Sequence, residues 1–290
     1  MQYKRILAFI SFLFVSAFLV YFLIYLEDSE RKKKAASIPI ELPYTWLGNI
    51  NKEKISEPSG VTYHPIRKTL FVVDDEGHIH EMRPDGSTIR RKYLQGRDLE
   101  GITINPKTGL LYVAVEDDEA ILEVHPQTLT ILREFTINRL FEGKTLLKKG
   151  GMGMEAIAFI PDTSHVEGGT FWIGNQSVSL KPNSELSVVC EVVIPIKSSD
   201  TSETEGTIIR YHEMDFIDIS GLTYDSQADS LILISDTTNL LVELKRDGTP
   251  LHRYLLPGND QEGVTLDGLG YMYIAQESGQ IVKLADSRLR

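Results

Sequence analysis

Five short segments of this chain repeat one pattern, in which a polar residue precedes a small residue and then alternating apolar positions. The segments are residues 59–63, 100–104, 155–159, 220–224 and 262–266. Their small residues lie 41, 55, 65 and 42 positions apart. A spacing near 40 is typical of one four-stranded blade of a β-propeller, and the longer intervals indicate insertions in the second and third repeats.

The runs between these segments supply the other strands that each blade needs. Each segment is followed by a turn and by further β-rich runs, and turns such as Pro84-Asp85-Gly86 carry the Asp-Gly hairpin signature. The fifth repeat has no outer strand before Arg290, whereas the run 44–50 has no partner in its own repeat. We therefore predict an all-β, five-bladed β-propeller whose N-terminal strand closes the last blade.

The N-terminus has a different character. Residues 6–26 form 21 consecutive positions without a charge, which at about 1.5 Å per residue spans the hydrocarbon core of a bilayer. This predicts a transmembrane anchor and linker in residues 1–37, followed by a propeller domain in 38–290. A cleaved signal peptide is the alternative, with a loosely matching cleavage site at 34–37. Both interpretations carry the rest of the chain across a membrane.

The propeller domain is strongly acidic. Residues 38–290 contain 24 Lys and Arg against 38 Asp and Glu, a net charge of −14. Such a field repels phosphate backbones and attracts cations, so nucleic acid is not an expected partner. The single cysteine, Cys190, lies in an apolar run and is expected to be a buried strand thiol.

Two repeat positions place acidic residues where the innermost strands should surround the channel. One is the position before the small residue, and the other lies two residues earlier, on the same side of an extended strand. The first position is occupied by Ser59, Glu100, Glu155, Ser220 and Glu262. The second is occupied by Glu57, Asp98, Gly153, Asp218 and Asp260.

Several carboxylates that converge on one axis need either protons or a cation. Two unit charges about 4 Å apart repel by about 4 kcal/mol at an effective dielectric constant of 20. Carboxylate and hydroxyl oxygens suit a hard divalent ion, and a wide, irregular ring favours Ca²⁺ over Mg²⁺. The predicted metal ligands are Glu100, Glu155, Glu262, Ser59, Ser220, Asp98, Asp218 and Asp260.

Structural roles are the alternative for several of these residues. The small residues could simply relieve crowding near the axis, and the aspartates could cap turns. The acidic turns 74–76 and 116–118 are expected to be solvated, with the channel rim as the alternative. His78 and His80 lie on one face of a third strand and are expected to form a surface pair. The long connection 137–153 is expected to hold one helical turn.

The ordered motifs resemble the bacterial SdiA-regulated family over residues 40–286. They are Pro58-Ser59-Gly60-Val61-Thr62-Tyr63, Asp98-Leu99-Glu100-Gly101-Ile102, Gly153-Met154-Glu155-Ala156-Ile157-Ala158, Ile219-Ser220-Gly221-Leu222 and Gln261-Glu262-Gly263-Val264. The resemblance implies a five-bladed propeller with a calcium site, distantly related to NHL-repeat propellers, in a bacterial envelope. One departure is Ala156, which stands where the other four repeats have glycine.

The orientation in the membrane follows from that resemblance and from the short N-terminus. The positive charges at 31–34 outnumber Lys4 and Arg5 and by themselves favour the opposite topology. We expect a single-pass protein of the inner or plasma membrane, with the propeller on the periplasmic or extracellular side.

Two functions remain open at this point. One is a non-catalytic, calcium-stabilised binding or scaffold domain with an unidentified protein or small-molecule ligand. The other is a metal-dependent hydrolase of the lactonase or esterase type, with its site at the channel mouth. No Gly-x-Ser-x-Gly, His-Glu-x-x-His or EF-hand pattern occurs in the sequence.

Overall fold

A computed structural model describes residues 38–289, apart from residues 95, 117, 151–152, 178–186, 201 and 203. The predicted transmembrane segment and its signal-peptide alternative therefore lie outside the described residues. Within the described part of the chain, no helix combines the length and apolar character that a membrane crossing requires.

The described residues form 23 β-strands and one terminal 3₁₀ turn. In chain order they are β1 (Ile40–Glu41), β2 (Tyr44–Asn49), β3 (Pro58–His64), β4 (Thr69–Asp74), β5 (His78–Met82), β6 (Thr88–Tyr93), β7 (Leu99–Ile104), β8 (Leu111–Val115), β9 (Ala120–Val124), β10 (Ile131–Asn138), β11 (Leu140–Phe141), β12 (Lys144–Thr145), β13 (Met154–Pro161), β14 (Gly169–Asn175), β15 (Val188–Val193), β16 (Glu205–Glu213), β17 (Ile219–Asp225), β18 (Ser230–Ser235), β19 (Leu240–Lys245), β20 (Pro250–Leu255), β21 (Gln261–Leu266), β22 (Tyr271–Gln276), β23 (Gln280–Asp286) and the 3₁₀ turn Ser287–Leu289.

These strands form five antiparallel blades around an axis. Blades 1 to 4 are β3–β6, β7–β10, β13–β16 and β17–β20, and β1 adds a parallel strand at the edge of blade 4. Blade 5 contains β21, β22 and β23, and β2 completes it as the fourth strand. The inner strands β3, β7, β13, β17 and β21 contact one another in a closed ring. The predicted five-bladed fold and its closure by the N-terminal strand are thus confirmed.

The small residues of the repeat are required because neighbouring inner strands approach closely. A Cβ at Gly221 would lie 2.2 Å from the carbonyl oxygen of Glu262, and one at Gly60 would lie 2.3 Å from that of Glu100. None of the four repeat glycines has positive φ, so space rather than backbone conformation selects glycine. In blade 3 this position is Ala156, which pairs across the sheet with Gly174, a residue that has no Cβ of its own.

Blades 2 and 3 depart from the regular plan. Their outer strands β10 and β16 pair in parallel at residues 136–138 and 205–207, which merges the two blades into one eight-stranded sheet. Within the connection 137–153, β11 and β12 form a small hairpin where we expected a helical turn, so that expectation was wrong. Leu146 and Leu147 are buried and fix the described part of this connection to the core.

A repeated ion pair stabilises the blades away from the axis. In blade 2, Glu123 on the third strand accepts hydrogen bonds from Tyr112 on the second strand and from Arg133 on the fourth. Pairing of this kind offsets the cost of burying a charge. The corresponding third-strand acids in blades 1, 3 and 4 are Glu81, Glu191 and Glu243, the last of which contacts Ser230 and His252 rather than an arginine.

The lone cysteine behaves as the sequence predicted. Cys190 lies on β15 inside a hydrophobic cluster and has no accessible surface. Burial raises the pKa of its thiol to about 12. A thiol with this pKa is inert at physiological pH.

Candidate metal centre

A polar cavity of about 300 Å³ lies where the inner strands meet. Its lining consists of acidic side chains, two serines and one glutamine, and the described residues that line it include no Lys, Arg or His. The lining residues are Glu57, Ser59, Asp75, Asp98, Glu100, Glu116, Glu155, Gln176, Asp218, Ser220, Asp236, Glu262 and Glu277.

The first predicted ring is brought together in full. Glu100, Glu155 and Glu262 line the cavity with Ser59 and Ser220, and Glu155 is only 7 % exposed. The hydroxyl of Ser59 donates to the carbonyl oxygen of Leu99 at 2.6 Å, and that of Ser220 donates to Gln261 at 2.8 Å. Each serine thus links two neighbouring blades and keeps its oxygen lone pairs available to a cation.

The second predicted ring is brought together only in part. Asp98 and Asp218 line the cavity, as does Glu57, whereas Asp260 is exposed and is not a lining residue. One oxygen of Asp218 also accepts hydrogen bonds from the backbone N–H and the hydroxyl of Thr237, at 3.0 and 2.6 Å. The turn-capping role considered from the sequence therefore applies to Asp218.

A third ring was missed by the sequence analysis. It consists of the residues that directly follow the second strand of each blade, and all five line the cavity. The expectation that the acidic turns are solvated was wrong for Asp74, Asp75 and Glu116. Asp75 and Glu116 belong to this ring, in agreement with the channel-rim alternative. Aligning the ends of the second strands would have revealed it. The ring is Asp75, Glu116, Gln176, Asp236 and Glu277.

Burial raises the pKa of all three glutamates of the first ring well above the ordinary range. For Glu100 the next causes are the charges of Glu155 and Asp75. For Glu155 a hydrogen bond to Glu116 raises the pKa further. For Glu262 the charge of Asp236 adds to the effect of burial. Without a cation, these side chains keep their protons to a higher pH than free glutamates do.

The third ring shows the same direction of shift. Burial raises the pKa of Asp75 to about 6, and the nearby charges of Asp98 and Glu57 contribute to the increase. Burial also raises the pKa of Asp236 and of Glu277. The channel therefore concentrates negative charge that its lining does not neutralise.

The donor set fits a hard divalent cation. Asp75, Asp98 and Glu100 each offer a carboxylate oxygen, and these three atoms lie within 4.8 Å of one another. The serines and Gln176 add neutral oxygens around the same cavity. Carboxylate, hydroxyl and amide oxygens are the ligands that Ca²⁺ takes at 2.3–2.6 Å, six to eight at a time.

Solved structures that resemble this chain include β-propellers of distant sequence. Glutaminyl cyclase of Myxococcus xanthus has a TM-score of 0.57 at 8 % identity, with 85 % of this chain and 97 % of that chain covered. The β-propeller domain of Cps50 (Swd1) from Myceliophteria thermophila has a TM-score of 0.46 at 8 % identity, with 82 % and 99 % covered. At such identity a likeness concerns the fold alone.

Sequence comparison adds the family. No curated protein sequence matches this chain. The sequence model of the SdiA-regulated family matches residues 47–284, which include strands β3 to β22 and parts of β2 and β23. The chain belongs to the SdiA-regulated family.

Proposed function

We propose that this propeller binds Ca²⁺ in its central channel and serves as a membrane-anchored binding or scaffold module of the bacterial envelope. The observation that carries the proposal is the lining of the cavity, where ten carboxylates surround about 300 Å³ without a basic residue among the described lining residues. A cation would stabilise this arrangement at the axis of the fold, where all five blades meet.

Electrostatic repulsion among the carboxylates favours a bound ion over protonation alone. Carboxylates about 4 Å apart repel by about 4 kcal/mol per pair at an effective dielectric constant of 20. One divalent ion replaces several such repulsions with attractions. Asp75, Asp98 and Glu100 are the best placed ligands because their oxygens already converge, and Glu155 contacts both Glu100 and Glu116.

The shape of the donor set supports Ca²⁺ rather than Mg²⁺. Mg²⁺ requires nearly ideal octahedral geometry at 2.0–2.1 Å, whereas Ca²⁺ accepts more ligands in irregular arrangements. The five blades contribute unlike side chains at equivalent positions, such as Ser59 and Glu100. An irregular ring of this kind suits the more adaptable ion.

A non-catalytic role is favoured by the same lining. Sites for organic substrates are mostly apolar, with a few convergent polar groups. The described residues that line this cavity are all polar, so an organic substrate would find little apolar surface among them. The partner of the module is then a protein or small molecule bound elsewhere on the propeller, with the ion in a stabilising role.

One observation favours the second candidate, a metal-dependent hydrolase. The pKa of Asp75 is raised to about 6, and a base with a pKa near the working pH is suited to proton transfer. A bound ion with an open coordination position would polarise a carbonyl or activate water. In this second function Asp75 would stay outside the coordination shell of the ion and accept the proton.

The membrane-anchored part of the proposal rests on the sequence. The uncharged run at 6–26 has the length of a membrane-spanning helix. The acidic propeller would then be held close to one membrane face, on the outer side if the family resemblance is followed.

Metal analysis of the full-length chain in detergent, with thermal melting in Ca²⁺ or in chelator, tests the calcium site. We expect one or more bound Ca²⁺ and a higher Tm with the ion. The double variant Glu100→Gln, Glu262→Gln should abolish the calcium-dependent shift. The matched control is Glu41→Gln, Glu53→Gln, which removes the same charge from exposed positions. A double channel variant that keeps the full shift would refute the site.

A substrate panel separates the two functions. Lactones and phosphoesters would be assayed with the calcium-loaded protein and with the variant Asp75→Asn. Turnover that disappears in Asp75→Asn and in chelator would establish the hydrolase. No turnover above the uncatalysed rate, together with an intact calcium shift, would support the binding module.

A further inference from the structure

We infer that blade 1 carries a second metal site, distinct in chemistry from the channel, that binds a transition ion such as Zn²⁺ through Asp74, His78 and His80. One carboxylate oxygen and one nitrogen from each imidazole lie within 4.8 Å of one another. Two imidazoles and one carboxylate are a donor set that Zn²⁺ takes in proteins.

The distances around Asp74 match such a site. The Nδ1 atom of His78 lies 3.2 Å from Oδ1 of Asp74, and Nε2 of His80 lies 2.8 Å from Oδ2. Tetrahedral ligands about 2.0–2.1 Å from a zinc ion are separated from one another by about 3.3 Å. Small side-chain adjustments would therefore admit the ion between these groups.

The local sequence builds the cluster on a rigid hairpin. His78 and His80 alternate along β5, so their side chains share one face of the strand. The turn after β4 requires Gly77, which has a φ of +87° and whose N–H donates to the carbonyl oxygen of Asp74. The backbone N–H of His78 also donates to Oδ1 of Asp74 at 2.8 Å, which holds the carboxylate against the imidazoles.

Burial and access are both suitable. Asp74 is 1 % exposed and His80 is 6 % exposed, so the expectation of a surface pair was wrong for His80. The His78 side chain retains 23 % exposure, which leaves a route for an ion and a place for a water as fourth ligand. His80 pairs across the sheet with Val72 and with Arg91, and Arg91 is solvent-exposed.

Metal binding requires only a change of tautomer in the histidines. Without an ion, the ring N–H groups that face Asp74 donate to its two oxygens. With an ion, the same nitrogens are unprotonated ligands, and each proton moves to the other ring nitrogen. The ring of Tyr93 packs against His78 with centroids 5.0 Å apart, which limits the orientations of that imidazole.

The two sites should select different ions. Imidazole nitrogen suits zinc, copper, iron and nickel, whereas the oxygen-only channel suits Ca²⁺. The proposal therefore does not depend on calcium binding in the channel. Excess Ca²⁺ should fill the channel and leave the histidine site for Zn²⁺.

Zn²⁺ binding to the full-length chain in detergent, measured by calorimetry in excess Ca²⁺, tests the inference. We expect one Zn²⁺ per chain, with affinity lowered at least about tenfold in His78→Gln and in Asp74→Asn. The control is His252→Gln, because His252 also contacts a carboxylate, Glu243 at 3.1 Å. The calcium-dependent Tm shift should persist in His78→Gln, which verifies that the variant is folded.

Wild-type protein that binds no Zn²⁺ in excess Ca²⁺ would overturn the inference, and so would unchanged affinity in both His78→Gln and Asp74→Asn. Co²⁺ provides a second measurement, since a four-coordinate site with nitrogen ligands gives strong visible absorption and an oxygen-only octahedral site gives weak absorption. The variant Glu100→Gln, Glu262→Gln should keep Zn²⁺ binding. If it loses Zn²⁺ while His78→Gln retains it, the ion lies in the channel and the inference fails.

Discussion

The backbone N–H of Asp75 donates a hydrogen bond to the carbonyl oxygen of Glu57, with 3.3 Å between the two atoms. This bond joins the residue after the second strand to the residue three positions before the repeat's small residue. It therefore holds two acidic positions of one blade together at the channel. The same bond occurs in blades 2, 4 and 5, from Glu116 to Asp98, from Asp236 to Asp218 and from Glu277 to Asp260.

The raised pKa values predict an unusual dependence of stability on pH. Because their pKa values are raised in the folded protein, Glu100, Glu155, Glu262 and Asp75 keep their protons to a higher pH there than in the unfolded chain. In chelator, the free energy of unfolding should therefore be larger at pH 5 and fall as the pH rises through about 6, where Asp75 ionises, and beyond. Thermal melting between pH 5 and pH 8 measures this decrease.

Ca²⁺ should oppose this fall of stability with rising pH. Because Ca²⁺ competes with protons for the same oxygens, its effect on Tm should be larger at pH 8 than at pH 5. Carboxylates with a lowered pKa in the folded protein, such as Asp286 beside Arg288, lose their stabilising effect only when the pH falls through that pKa. They therefore do not change the stability between pH 5 and pH 8. The variant Glu100→Gln, Glu262→Gln should show a flatter profile in chelator. A wild-type Tm that rises steadily from pH 5 to pH 8 in chelator would contradict the prediction.

The sequence predicted the architecture well because the propeller repeats itself. The spacing of the small residues at 60, 101, 156, 221 and 263 reflects a requirement at the axis, where a Cβ at Gly221 or Gly60 would meet the neighbouring backbone. The missing outer strand of the last repeat and the unmatched run at 44–50 together predicted the closure by β2. The spacing of the small residues and the missing strand are both visible when the repeats are compared, because every blade has the same strand plan.

The channel was predicted only in part because four of its ten acids directly follow second strands. Asp75 and Glu116 belong to turns that look solvated in sequence, and their approach to the axis depends on the backbone bonds to Glu57 and Asp98. The parallel pairing of β10 with β16 joins segments about 70 residues apart. The alternation of apolar and polar residues within either strand does not indicate this pairing. The burial of His80 likewise depends on a residue outside its own strand, because its imidazole is hydrogen-bonded to Asp74 at the end of β4.

Replacing Gly221 by alanine should destabilise the propeller. The added methyl would lie 2.2 Å from the carbonyl oxygen of Glu262 and 3.3 Å from the Cβ of Ile234, and both belong to packed strands. Overpacking of this kind costs about 1–3 kcal/mol. Urea unfolding followed by tryptophan fluorescence measures the loss. Ala156→Gly is the matched control and should cost about 0.5–1 kcal/mol, since that blade already accommodates a methyl group. Equal losses in the two variants would show that close strand approach does not select glycine at the axis.

Ring closure can be tested at Asn51, whose side chain joins the two ends of the propeller. Its amide nitrogen donates to the carbonyl oxygen of Gly279 at 3.0 Å, and its amide oxygen accepts from the N–H of Ile281 at 3.0 Å. Asn51→Ala should lower the free energy of unfolding by about 1–2 kcal/mol, because both bonds are lost and the partners are partly buried. The control is Gln227→Ala, which removes one exposed bond to Gly268 and should change stability by less than about 0.5 kcal/mol.

Hydrogen exchange then distinguishes a closure defect from general destabilisation. If β2 closes the ring, Asn51→Ala should accelerate exchange in β2 and β23 together, although more than 200 residues separate them. Exchange in blade 2, held by its own strands and by β16, should change least. Uniform acceleration in all five blades would mean that the ring opens as one cooperative unit, and the N-terminal strand would then not be its weakest point.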